Sequence, residues 1–189
     1  MPVEPRQERA VRTREKILTG AVDVLVSHGY AGFTMARVQE AAGVTRGALT
    51  HHFGSMRELA VAAIDHIAEQ QAGEIRSVSG SGATLADVTE AIHEVTRRAT
   101  FVAGLELWLA ARTDTELRAA LQPGAHRLME QLRSILEPVV GDLDDESFEI
   151  FLDGLLSLLR GLAIGAVLRD RPQREHAILN AWLSSYLTV

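Results

Sequence analysis

The chain contains no cysteine, which excludes a disulfide framework and any thiolate metal site and fits a reducing compartment. Aromatic residues make up only 5% of it, and its five prolines are scattered. Apolar residues recur at helical spacing rather than alternating, so no segment reads as a convincing strand and almost entirely α structure is expected. The most apolar segment is interrupted by Asp153 and Arg160, which leaves too short an uncharged run to cross a bilayer. Met1 to Lys16 is charged and lacks the apolar centre of a signal peptide, so a cytoplasmic location is expected.

What the chain does have is 189 residues, enough to bury a substantial core, and an uneven charge. Residues 1–57 hold eight Arg/Lys against five Asp/Glu, net +3, whereas residues 58–189 hold eleven against twenty, net −9. A mildly basic head on an acidic body is the distribution expected of a phosphate-binding module joined to a separate body.

The head reads as four helices. Ile17, Leu18, Ala21, Val24 and Leu25 mark one face of the first, which Gly29 can end in the left-handed conformation. Thr34 can cap a second helix with Met35, Val38, Ala41 and Ala42 turned inward, followed by a tight turn at Gly43. Thr45 can cap a third, anchored by Leu49 and Phe53 and ended by Gly54. Ser55-Met56-Arg57-Glu58 reads as a capping box opening a long fourth helix to about Arg76. Two short helices around a Gly-containing turn form a helix-turn-helix, whose second helix enters the major groove. With Leu49 and Phe53 inside, the helical period turns Arg46, Gly47, Thr50 and His51 outward. Arg46 can offer the bidentate fork that reads guanine, and Gly47 permits close approach of the backbone. Thr34 and Thr45 sit at helix N-termini, where a phosphate oxygen is favoured, with Arg37 and Arg57 as supporting cations and His52 beside them. The run Arg6, Arg9, Arg12, Arg14 and Lys16, interleaved with Glu4, Glu8 and Glu15, reads as a minor-groove arm or as a solvated terminus.

The segment Gly43-Val44-Thr45-Arg46-Gly47-Ala48-Leu49-Thr50-His51-His52-Phe53-Gly54-Ser55, followed by Glu58-Leu59, closely resembles the recognition segment of the tetracycline-repressor (TetR) family. The resemblance extends back through Arg14 to Gly29 and Thr34 to Ala42, covering about the first sixty-five residues; beyond them only length and helical pattern match. It implies an all-α homodimer with a three-helix reading head, a connecting fourth helix and a C-terminal domain that binds a small molecule. On this reading residues 1–57 are the helix-turn-helix DNA-binding domain and residues 58–189 the effector-binding and dimerisation domain. Thr50 stands where the family usually has a tyrosine and Met56 where it usually has a phosphate-binding lysine. Both departures concern backbone contacts, and Arg57 points about 100° away from position 56, as the helical repeat requires.

After a Gly/Ser-rich connection at Ser77 to Gly82, helices are expected near Leu85 to Arg98, Phe101 to Arg112, Thr115 to Leu121, Ala125 to Val140, Glu146 to Leu168 and Gln173 to Leu187. The fifth of these carries more than one apolar stripe and must be covered on several sides. Gly154, Leu158, Gly161, Gly165, Leu168, Leu179, Trp182 and Tyr186 therefore read as a dimer interface of four helices, with ordinary intrachain core as the alternative. Phe101, Leu105, Trp108, Arg112, His126, Met129, Phe148 and Phe151 read as lining a ligand pocket, with Leu109, Leu128, Leu132 and Glu106 nearby.

Enzyme readings find little. Glu90-Ala91-Ile92-His93 sets a carboxylate and an imidazole one turn apart, but no second such pair accompanies it, and His51-His52 has no partner pair at metal-ligand spacing. No nucleophile stands in a triad or glycine-elbow context. The expectation is a repressor that a small molecule releases from a near-palindromic double-stranded operator, without a catalytic role, cofactor or metal. The alternative is an architectural DNA-binding or assembly protein with the same head.

Overall fold

A computed structural model describes residues 6–80 and 82–186. Among the described residues there are nine helices and no strand: α1 (Arg6–His28), α2 (Met35–Ala42), α3 (Arg46–His52), α4 (Met56–Val78), α5 (Leu85–Thr96), α6 (Ala99–Ala110), α7 (Thr115–Val140), α8 (Asp145–Ala166) and α9 (Pro172–Ser184). The fold is all-α, with an N-terminal helix-turn-helix head, a long connecting helix α4 and a helical C-terminal part.

The helix ends follow from local chemistry. The Thr84 hydroxyl accepts the Asp87 N–H while the Asp87 carboxylate accepts the Thr84 N–H, a reciprocal capping box that opens α5. Asp144 accepts the Ser147 N–H at 2.8 Å to open α8, and Asp145 and Glu146 in its first turn suit the positive end of the helix dipole. Pro172 occupies the first turn of α9, where its missing N–H costs nothing.

The chain packs as two compact units, residues 1–70 with 103–127 and residues 71–102 with 128–189. The core of the first gathers Ile17, Leu18 and Leu25 of α1, Val38, Leu49, Phe53, Leu59 and Ala63, together with Leu107, Leu117 and Leu121. The core of the second gathers Val88 and Ile92 of α5, Leu132 and Leu136 of α7, Phe148, Phe151, Leu152, Leu155 and Leu159 of α8, and Leu179 and Leu183 of α9. The packing division thus runs differently from the functional division read at 57/58.

Four local features differ from the sequence reading. Helix α1 begins at Arg6, so Arg9, Arg12, Arg14 and Lys16 lie on a helix instead of an extended arm, and the Arg14 guanidinium sits 5.5 Å over the Phe53 ring. Glu4 of that run lies outside the described residues. The end of α3 is capped by Phe53 in extended conformation, φ −137°, instead of by Gly54. The Ser55 hydroxyl accepts the Glu58 N–H at 3.1 Å as expected of a cap, but the Glu58 carboxylate takes the Gly54 N–H, at 2.8 Å, one residue before the box position. Helix α4 continues through Ser77 to Val78, which shortens the connection; its Ser81 lies outside the described residues, as does Leu187.

A fifth difference is the largest. Thr115 to Leu121 and Ala125 to Val140 are one helix, α7, running through Pro123 and Gly124. Proline inside a helix costs about 3 kcal/mol. Leu117, Leu121, Leu132, Ile135 and Leu136 are all buried along α7, and each buried side chain of this kind contributes roughly 1.5 to 3 kcal/mol. Together they outweigh the break. Gly124 also has a packing reason, since a Cβ there would collide with the Asp65 carboxylate, which Arg127 holds at 2.7 Å.

Candidate nucleic-acid interface

Helices α2 and α3 are set by three adjacent local signals. The Thr34 hydroxyl accepts the Arg37 N–H at 3.4 Å from an extended backbone, φ −132° and ψ 151°. Gly43 adopts the left-handed conformation, φ 61°, and the N–H groups of Gly43 and Val44 return to the carbonyls of Glu40 and Gln39. Thr45 then opens α3 by accepting the Ala48 N–H at 3.2 Å.

Burial fixes which face of α3 is free. Val38 and Leu49 are fully buried and Phe53 nearly so. Arg46, Gly47, Thr50 and His51 are exposed, and His52 is half-buried with its ring edge-on to His51 at 5.4 Å. Thr34, Arg37 and Thr45 are exposed on the same short stretch of chain. The Thr50 hydroxyl donates back to the carbonyls of Arg46 and Gly47, so towards solvent it presents acceptor lone pairs and a methyl group. Arg37 donates to the Gly32 carbonyl at 2.7 Å, which anchors it to the turn before α2.

Arg57 does not join this set. Its guanidinium pairs with Glu116 at 2.6 Å and lies 3.6 Å from Asp114, so its charge is neutralised within its own unit. Asp114 also caps α7: its carboxylate is held below the usual range first by the Leu117 N–H and further by Arg57. One contributor to the head escaped the sequence reading. A Cβ on Gly20 would stand 2.7 Å from the Ala42 amide nitrogen, so this glycine lets α1 lie against the backbone of α2. The available signal was a glycine in the middle of an otherwise regular amphipathic helix.

The residues read as a ligand pocket divide between the units. Leu105, Trp108, Arg112 and His126 belong to the first, Phe101, Met129, Phe148 and Phe151 to the second. Trp108 and Arg112 line an open cleft of about 260 Å³ with Ala111, Arg118, Leu121, Gln122 and Ala125. His126 is exposed, whereas Phe148 and Phe151 are buried in core. Glu106 serves the head instead, accepting the Tyr30 N–H.

Of the residues read as a dimer interface, Leu179 is core within its own chain. Gly154 admits Trp182 of the same chain, which would stand 2.9 Å from a Cβ there, and Trp182 and Tyr186 both pack on Phe151. Leu158 is half-buried against the same core. Gly161 and Gly165 have open space where a Cβ would stand, and Ile164, Val167 and Leu168 beside them are 55%, 65% and 86% exposed.

Comparison with known proteins accords with this geometry. The family described as "Bacterial regulatory proteins, tetR family" matches residues 17–63, and that described as "BetI-type transcriptional repressor, C-terminal" matches residues 83–188. The HTH-type transcriptional regulator CymR of Pseudomonas putida is 30% identical over 186 residues, covering 93% of this chain and 90% of CymR. A TetR-family transcriptional regulator from Rhodococcus sp. aligns in structure with a TM-score of 0.77 at 18% identity, over 94% of this chain and 100% of that one. The multidrug binding protein EbrR, complexed with ethidium, aligns with a TM-score of 0.65 at 25% identity, over 89% of this chain and 96% of EbrR.

Proposed function

Because the chain belongs to the tetR family of bacterial regulatory proteins and is a DNA-binding transcriptional regulator, we propose that it acts as a ligand-released homodimeric repressor. Two copies of α3, about 34 Å apart, read a near-palindromic operator in successive major grooves. Arg46, Gly47, Thr50 and His51 face the bases, while Thr34, Arg37, Thr45 and His52 meet the backbone. The observation that carries this reading is the sidedness of α3, with Leu49 and Phe53 buried and those four residues exposed. The protein works in the cytoplasm and has no catalytic role.

The second copy docks along α8 and α9. Gly161 and Gly165 allow a partner helix close approach, Leu168 supplies apolar area, and Leu158, Trp182 and Tyr186 flank them. The matching repressor-type C-terminal description supports repression as the direction of control.

The effector enters at Trp108 and Arg112. That cleft lies on α6 and α7, the helices whose Glu106 and Glu116 hold Tyr30 and Arg57 in the same compact unit. A ligand that fits the cleft better when these ties are shifted lowers affinity for DNA by that difference in its affinities, with α4 carrying the displacement. A thermal-shift screen of small molecules against the full chain tests the reading. A compound that raises the melting temperature and releases the protein from DNA is expected; stabilisation by DNA alone across a broad screen contradicts ligand control.

A further inference from the structure

Glu90 and His93 of α5 meet a third metal-binding side chain that lies far off in sequence. His176 of α9 brings its Nε2 to 2.7 Å from the Glu90 Oε1, and His93 Nδ1 lies 4.0 Å from that same oxygen. One ligand atom from each of the three lies within 4.8 Å of the others, and the two imidazole rings stand edge to face with centroids 4.9 Å apart. All three belong to one compact unit.

We propose that Glu90, His93 and His176 bind a divalent first-row transition metal, of the zinc or cobalt kind. The His176–Glu90 contact alone would be an ordinary ion pair. His93 is less well provided for: its side chain is 1% exposed, and neither ring nitrogen makes a hydrogen bond, Nε2 standing 3.4 Å from the Glu175 carboxylate and Nδ1 4.0 Å from that of Glu90. A buried imidazole that makes no hydrogen bond costs free energy, and a metal on Nδ1 supplies the interaction that this nitrogen lacks.

The outer nitrogens support the same assignment. Ligating histidines usually turn their other ring nitrogen to a carboxylate or carbonyl, which fixes the tautomer. His176 Nδ1 donates its N–H to the Pro172 carbonyl at 2.7 Å, so Nε2, which shares a proton with Glu90 at 2.7 Å, is the nitrogen that a metal can take by displacing that proton. His93 Nε2 lies 3.4 Å from the carboxylate of Glu175, which is itself buried and paired with Arg97; Arg97 also holds Asp170 at 2.7 Å. Each histidine thus has its far nitrogen facing an acceptor and its near nitrogen facing the same oxygen. Ligands about 2.1 Å from a shared tetrahedral ion stand roughly 3.4 Å from one another. The two separations to Glu90, 2.7 and 4.0 Å, bracket that value, and with all three ligand atoms within 4.8 Å of one another, side-chain rotations that draw the two imidazoles together close the site. Two imidazoles and one carboxylate suit zinc, cobalt or nickel; calcium and magnesium prefer all-oxygen sites. The half-exposed Glu90 and His176 leave a side open to water or to a further ligand.

The test is titration of the full-length, chelator-treated protein with cobalt(II), followed by visible absorption, and with zinc(II), followed by thermal melting. One cobalt per chain with the intense bands of a low-coordinate site, and a higher melting temperature with zinc, are expected. His176→Gln and Glu90→Gln, at half-exposed positions, should keep the helical circular dichroism and weaken binding about 100-fold, while Glu175→Gln weakens it about 10-fold through His93. His66→Gln, at a histidine of α4 outside the cluster, should change nothing. The proposal is overturned if the wild-type chain takes up no stoichiometric metal, or if His176→Gln binds it as well as wild type does.

Discussion

The Glu106 carboxylate of α6 accepts the backbone N–H of Tyr30 at 3.1 Å, across 76 residues of sequence, beside the left-handed Gly29 that ends α1. The contact fastens the turn between α1 and α2 to a helix that lies well beyond the head in the chain. Arg57 makes a second such tie to Glu116 of α7. Glu106→Ala should lower the stability of the chain by about 1 kcal/mol, the usual net value of one hydrogen bond at an exposed site. Urea denaturation reads this directly. Gly29→Ala should cost more, because φ of 63° is strained for alanine and its Cβ would stand 2.6 Å from the same carboxylate oxygen.

Gly20 sets two effects against each other. Alanine is the better helix former by about 1 kcal/mol. Its Cβ, however, would press on the Ala42 backbone at 2.7 Å, and overpacking against a backbone that cannot rotate away costs roughly 1 to 3 kcal/mol. Gly20→Ala is expected to be destabilising on balance and to weaken DNA binding by displacing α2. Chemical denaturation and a DNA-binding isotherm of the same variant check both effects.

Asp144 carries a pH dependence of known sign. Its carboxylate is held below the usual range, first by the Ser147 N–H it accepts and then by the Ser147 side chain. A depressed folded-state pKa means that the cap's contribution is full above the unfolded value near 3.9 and is lost as pH falls through the folded value. Asp144→Ala should therefore be less stable than wild type at pH 7. The two melting curves should converge in acid below that range.

Arg46→Ala should weaken operator binding by about 1 to 3 kcal/mol and relax preference at one base position per half-site. Arg57→Ala should act differently. With its charge already opposed by Glu116 and Asp114, its loss should lower stability while leaving base preference unchanged. Footprints and selected sequences for the two variants separate these outcomes.

The head was legible in the sequence because its signals are local. Thr34, Gly43 and Thr45 each act within four residues, and Leu49 and Phe53 fix the free face of α3 by the helical period alone. Continuity of α7 was not legible, because Pro123 is a strong local breaker and only burial on either side of it reverses the outcome. Gly154 and Leu179 belong to an apolar pattern that reads the same whether its cover is the same chain or a second one. Glu90 and His93 were visible as a pair one turn apart. Their meeting with His176, 86 residues from Glu90, depends on tertiary packing that no spacing rule encodes.

The most direct measurement is selection of bound sequences from random duplex DNA by the full-length protein, with the salt dependence of the winning site. A near-palindrome with half-sites one helical turn apart, a steep loss of affinity with salt and a changed preference for Arg46→Ala are expected. No enrichment by the folded dimer, or the same sequence logo from wild type and Arg46→Ala, would contradict the assignment of α3 as the reading helix.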